Sequence, residues 1–226
     1  MYGAGYDPPW NARDTTERAG PGRARWPRHG RMRVVRDVVL PGGRTAHPVP
    51  VIVLPGLGTN DVSTLPLRWY LSRIGHRVVG WQLGVHRLPV ETALRAFVPR
   101  LESFADTAGR DVTLVGWSLG GVVAREAARR RPDLVAQVIT LGSPSGRPPR
   151  AVPAGAADRD DITVPVTSIF SRGDRVVGWR SSVDRVTPGA SNIEVSGGHA
   201  ALGLDPVVWR VVADTIEGGA SPKSAS

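Results

Sequence analysis

The apolar residues of this 226-residue chain fall into two alternating rhythms. Near-continuous runs rich in Val, Ile and Leu, bounded by Pro, Gly or charge, predict strands buried on both faces. These runs are VPVIVL (49–54), HRVVGWQL (76–83), DVTLVGW (111–117), AQVITLGSP (136–144), VPVTSIFS (164–171) and SNIEVSG (191–197). MRVVRDVVL (32–40) is a further candidate, a first strand ended by Pro41-Gly42-Gly43. Between these runs apolar positions recur at helical spacing in STLPLRWYLSRIG (63–75), VETALRAFVPRLESFADTAG (90–109), 119–131 and DPVVWRVVADTIE (205–217). Pro99 is a candidate kink, Pro132 a stop, and Pro206 opens the last helix behind Asp205 as its cap.

Strands that alternate with helices predict the α/β class, with a mostly parallel central sheet and helices on both faces. The pattern frames a single domain over residues 31–217. Residues 1–30 are rich in Pro, Gly and Arg without apolar periodicity, which predicts a disordered or loosely packed basic leader. Residues 218–226, GGASPKSAS, are expected to form a disordered tail. No internal repeat is visible.

Composition narrows the choices. Cysteine is absent, which excludes disulfides and thiolate metal sites. No run of 18 or more apolar residues occurs, so no spanning helix or stable membrane insertion is expected. The first twenty residues do not pair a basic start with an apolar stretch, so they do not read as a secretory signal, and a cytoplasmic location is expected. The net charge of +9 raises the question of nucleic acid. Every basic residue but Lys223 is Arg, however, and the leader 1–36 alone carries eight Arg against Asp7, Asp14 and Glu17. A compositional bias and a solvated leader account for the charge without a nucleic-acid partner, and no DNA-reading motif is present.

The chemistry centres on Gly116-Trp117-Ser118-Leu119-Gly120. At this glycine content a chance Gly-x-Ser-x-Gly arises roughly once in five such chains, so its surroundings must decide. Here it follows an apolar strand and opens a helix, the setting in which a sharp turn lifts a serine hydroxyl out of the sheet edge. Serine becomes a nucleophile only with a base to take its proton and donors for the oxyanion that follows. The N–H of Leu119, at the helix start, is one candidate donor, and the N–H of Leu57 in Pro55-Gly56-Leu57-Gly58 is the second. A nucleotide loop is the competing reading of Gly56-x-Gly58, but Asp61 stands where the third glycine would be.

Five histidines compete for the role of base. His29 lies in the leader, His47 in a Pro-rich turn, and His76 at the opposite sheet edge, where a solvated role is expected. His86 follows the strand over 76–83 and is expected at the mouth of the site as a substrate-binding residue. His199, in the glycine loop after the last strand, stands where the order Ser…Asp…His predicts the base. Asp174, in SRGD after the preceding strand, is the expected acid, with Asp184 and Asp205 as alternatives. Trp117, Val176, Val177 and Trp179 are the apolar residues expected to contact substrate.

VLPGLG, LVGWSLGG, ITLGSP, SRGDRVVGW and GGHAALGLDPVVW stand in this order over roughly residues 48–217. Together they resemble the α/β-hydrolase fold, and within it the bacterial triacylglycerol lipase-like and esterase branch. The resemblance implies Ser118 as nucleophile, Asp174 as acid, His199 as base, Leu57 and Leu119 as oxyanion donors, and no metal or organic cofactor. It implies cleavage of a small-molecule apolar or acyl ester by a monomer. The alternatives are a thioesterase or acyltransferase with the same triad, or a non-catalytic binding module of the same fold. Two departures stand out: Pro55 replaces the histidine often found before the oxyanion glycine, and 145–162 is too short for a cap domain, leaving a minimal cap.

Overall fold

The computed structural model describes residues 32–34, 45–146 and 161–219. Seven strands form one sheet: β1 (Met32–Val34), β2 (Pro50–Leu54), β3 (Arg77–Gly80), β4 (Val112–Trp117), β5 (Val135–Leu141), β6 (Val166–Phe170) and β7 (Ser191–Glu194). Their order is β1-β7-β6-β5-β4-β2-β3, and every pairing is parallel. The helices are α1 (Leu65–Arg73), α2 (Val90–Ala108), α3 (Leu119–Arg130), α4 (Trp179–Ser182), α5 (His199–Leu204) and α6 (Pro206–Gly219). The α/β class and the helix-covered parallel sheet are as the alternating pattern predicts.

Connection handedness explains which helix covers which face. The chain moves outward from β2 to β3 through α1, then turns back over β2 to β4 through α2 and onward to β5 through α3. Right-handed crossovers in opposite directions place their helices on opposite faces. Accordingly Ile52, Leu54 and Leu114 pack with Phe97, Leu101, Val123 and Ala127 of α2 and α3. Val51, Val53 and Val115 point the other way, into a core with Leu67 and Leu71 of α1 and Val208, Val212 and Ile216 of α6. Strand residues alternate between the two cores with the period-two geometry of β-structure, so nearly every strand residue had to be apolar. The chain reverses direction between β2 and β4, and in open parallel sheets the crevice at that point, beyond the strands' C-terminal ends, is where ligands bind.

Several boundaries differ from the sequence expectation. The strand expected over 76–83 ends at Gly80, because the N–H groups of Trp81 and Gln82 each donate to the Asp61 carboxylate at 2.9 Å. α2 runs through Pro99 as one element. Pro99 and Arg95 both lie on the exposed side of α2, where the missing Pro99 N–H costs least. Two short helices, α4 and α5, lie where loops were expected. Asp205 caps α6 as predicted, its Oδ1 accepting the Val207 N–H at 2.8 Å.

His76 is the clear correction. Expected to be solvated, it is buried, and its Nδ1 accepts the Val49 N–H at 3.4 Å. The reversal before β3 folds it under the start of β2, and burial pushes its pKa below the ordinary value despite the nearby Glu217 charge. The expectations for the leader 1–30, the tail beyond residue 219 and most of the cap segment (147–160) lie outside the described residues. Among the described residues no helix is long and apolar enough to cross a membrane.

Candidate active site

Ser118 stands between β4 and α3 with φ 54° and ψ −123°, a left-handed conformation that a non-glycine residue rarely holds. Such strain costs about 1–3 kcal/mol and persists only where the surroundings over-determine it. They do so here by close backbone approach. A Cβ on Gly116 would lie 2.3 Å from Cα of Gly121, and one on Gly120 would lie 2.4 Å from the Leu54 carbonyl oxygen. The turn is therefore wedged between its own helix and the end of β2. On its other side the Ser118 N–H donates to the carbonyl of Leu141, at the end of β5 (2.9 Å).

The loop after β2 runs beside this serine. A Cβ on Gly56 would be 3.3 Å from Ser118 Cβ and 3.9 Å from Oγ. Leu119 is the first residue of α3, so its N–H has no acceptor within the helix. Among the described residues the Leu57 N–H also has no protein acceptor, and its side chain is exposed.

Asp174 and His199 are brought together from two different loops. The Asp174 Oδ2 to His199 Nδ1 distance is 2.7 Å. Asp174 Oδ1 accepts the N–H groups of Val176 and Val177, at 2.9 and 3.1 Å. Burial pushes the Asp174 pKa up, but these three hydrogen bonds together outweigh it, and the carboxyl is held below the ordinary carboxylate range. An ionised carboxylate only accepts, so Nδ1 of His199 is the donor, and its Nε2 takes no part in the pair.

The pair lies against Gly142, the residue after β5. Gly142 has φ 52°, and a Cβ there would meet Asp174 Oδ2 at 2.8 Å and His199 Nδ1 at 3.2 Å. Trp117, the neighbour of Ser118, donates its indole N–H to the His199 carbonyl (3.3 Å), and its ring is 5.9 Å from the imidazole. Thus Gly142 and Trp117 join the Asp-His pair to the strands that carry Ser118. Ser171 fastens the Asp174 loop to the His199 loop, its hydroxyl donating to the Gly197 carbonyl and accepting the Gly173 N–H. Gly142 and Ser171 were missed in the sequence. Nothing marks a small residue as a contact point until its neighbours are known.

The expected substrate contacts separate into different environments. Val176 is 57% exposed, whereas Val177 is buried beneath the Asp174 turn. Trp179 stacks on Phe170, and the guanidinium groups of Arg172 and Arg180 lie over its ring, 4.6 and 4.8 Å from the ring centre. His86, expected at the mouth, is instead 0% exposed and faces the carbonyl of Pro55. Asp184 is committed elsewhere, to a buried ion pair with Arg125 at 2.7 Å. Among the described residues no group of three His, Asp or Glu side chains converges as metal ligands would.

No sequence-family profile matches the chain, and no curated protein sequence does. Solved structures do. An α/β hydrolase enzyme from the metagenome of sediments of the Mar Chica lagoon, Morocco, is 20% identical, with TM-score 0.58 over 76% of this chain and 91% of its own. The monoacylglycerol lipase of Paleococcus ferrophilus is 15% identical, with TM-score 0.56 over 77% and 96%. The RedJ thioesterase of prodiginine biosynthesis in Streptomyces coelicolor is 17% identical, with TM-score 0.51 over 80% and 95%. Identities this low carry the architecture and leave the chemistry to the residues themselves. The parallel sheet, the strained serine turn at its crevice and these structural neighbours together give the chain the α/β-hydrolase fold.

Proposed function

We propose that the chain is a serine hydrolase that cleaves carboxylic esters through an acyl-enzyme. Ser118 Oγ attacks the ester carbonyl, and Nε2 of His199 takes its proton and returns it to the leaving alkoxide. Asp174 holds the imidazole in the Nδ1–H tautomer and stabilises the imidazolium that forms. The N–H groups of Leu57 and Leu119 receive the developing oxyanion, and water, activated by the same histidine, releases the acid. Exposed Leu57 and Val176 would give an apolar acyl group a surface to rest on.

The observation that carries this reading is the 2.7 Å hydrogen bond between His199 and Asp174, made against Gly142 beside the strained Ser118 turn. A hydrogen-bonded Asp-His pair of this kind orients a base; a binding module has no need of one. The test is labelling of the whole chain with a fluorophosphonate probe, with Ser118→Ala alongside. Covalent labelling lost in Ser118→Ala is the expected result. Equal labelling of both proteins, or none of either, would remove the reading. A matched p-nitrophenyl ester and acyl thioester then separate the esterase from the thioesterase alternative.

A further inference from the structure

We infer that His86 is a positioning residue that fixes the direction of the oxyanion-loop N–H groups. The inference rests on the proposed reading of 55–59 as that loop. Its starting point is a histidine used by neither the core pattern nor the triad. His86 is fully buried, 4.4 Å ring to ring from Trp81, and its Nδ1 is 2.9 Å from the carbonyl oxygen of Pro55. A carbonyl oxygen only accepts, so Nδ1 carries the proton. The other ring nitrogen, Nε2, is buried with no partner among the described residues. Protonating it would bury an unpaired charge, so the ring is neutral, and burial accordingly pushes its pKa below the ordinary value.

The main chain of His86 grips the same loop twice more. Its carbonyl accepts the Gly58 N–H at 2.8 Å, and its N–H donates to the Thr59 carbonyl at 2.8 Å. Inside the loop the Gly56 carbonyl accepts from the Thr59 N–H (3.2 Å) and the Thr59 hydroxyl (2.8 Å). In a trans peptide the C=O and the following N–H point in opposite directions. Holding the Pro55 carbonyl toward His86 therefore turns the Gly56 N–H away from it. Holding the Gly56 carbonyl toward Thr59 turns the Leu57 N–H outward in the same way. Gly56 is the loop residue beside Ser118, so the orientation of both planes flanking it is set by His86 and by Thr59, which His86 holds in turn.

This accounts for the departure at Pro55. With proline before the oxyanion glycine, that position offers the loop no polar side chain of its own. The anchoring donor comes instead from thirty-one residues along the chain, in the loop after β3.

Two substitutions separate the hydrogen bond from the packing. His86→Phe keeps a ring against Trp81 and removes the donor. His86→Asn loses the ring, but its amide nitrogen stands at the position of Nδ1 and can still donate to Pro55. Both are compared with wild type and Ser118→Ala in p-nitrophenyl ester turnover, corrected for folded protein, and in amide hydrogen exchange of a peptide spanning 54–60. His86→Phe is expected to lower kcat by about ten- to a hundredfold with little change in KM, because the donors act in the transition state. Exchange in 54–60 should rise in the same variant, and His86→Asn should recover part of kcat. Unchanged exchange or unchanged kcat in His86→Phe would overturn the inference. Absence of Ser118-dependent turnover in the wild type would instead remove the functional reading, leaving the exchange measurement to decide whether His86 holds the loop.

Discussion

Asp174 and His199 meet across the bare α-carbon of Gly142, so the approach of the two side chains depends on a residue just after β5 that belongs to neither loop. The carboxyl is held below the ordinary carboxylate range against the opposing effect of burial. A group whose native pKa is depressed stabilises the fold above its unfolded pKa and loses that contribution as pH falls through the native value. The stability of the wild type relative to Asp174→Asn should therefore decline as pH falls below about 4, where carboxylates of unfolded chains titrate. Urea midpoints of the two proteins from pH 7 downward give the measurement, and a flat difference would contradict the assignment. On the proposed mechanism Asp174→Asn also lowers kcat by about three to four orders of magnitude, through loss of the correct tautomer.

Gly116 and Gly218 should respond in opposite directions to the same added methyl group. On Gly116 it meets backbone atoms of Gly120 and Gly121 within 2.5 Å, and backbone cannot step aside. Gly116→Ala should cost about 1–3 kcal/mol or more and disturb the Ser118 turn. Gly218 lies inside α6 with open space around it, so Gly218→Ala should be neutral or stabilising by up to about 1 kcal/mol. Thermal unfolding of the two variants is sufficient.

Arg125 of α3 and Asp184 form an ion pair out of contact with water. Asp184 also accepts the N–H groups of Val186 and Thr187, and Arg125 donates to the Thr187 hydroxyl at 2.7 Å. Arg125→Leu leaves an uncompensated carboxylate and should destabilise by about 3–5 kcal/mol. Adding Asp184→Asn removes the orphaned charge, so the double variant should be more stable than Arg125→Leu alone. Denaturant unfolding of the pair of variants decides this.

Asp61 ties the loop after β2 to the end of β3 and leaves no space for a side chain at Gly80, where a Cβ would lie 2.1 Å from its Oδ1. Asp61→Ala should cost about 1–3 kcal/mol, because two backbone N–H groups lose their acceptor. Gly80→Ala should be destabilising in the wild type and much less so in the Asp61→Ala background. Additive effects in this cycle would show that the clash is relieved elsewhere.

The strands and helices were legible because each element's burial is written into its own period. Val51 to Leu54 had to be apolar without interruption once β2 lay between two helical layers. The Ser118 turn was legible in part for a related reason, since Gly116 answers to backbone atoms of Gly120 and Gly121, whereas Gly120 answers to Leu54 and Pro55 at the end of β2. What the sequence could not carry were contacts made by residues with no local signature. Asp61 read as a missing third glycine, yet it ends β3 from twenty residues away. His76 read as a solvated edge residue, and only the fold of the chain over β2 buries it.

The candidate site divides along the same line. Sequence alone determined the α/β alternation and the strand-turn-helix around Ser118, because local sterics and short-range patterning govern these, and the order of its motifs nominated Asp174 and His199. Tertiary structure alone decided that Gly142 is the surface on which Asp174 and His199 meet. It also decided that Asp184 belongs to Arg125 and that His86 faces Pro55 rather than the mouth. A hydrogen bond between distant loops depends on where whole strands come to rest in the sheet, and that position is set by the packing of both cores at once.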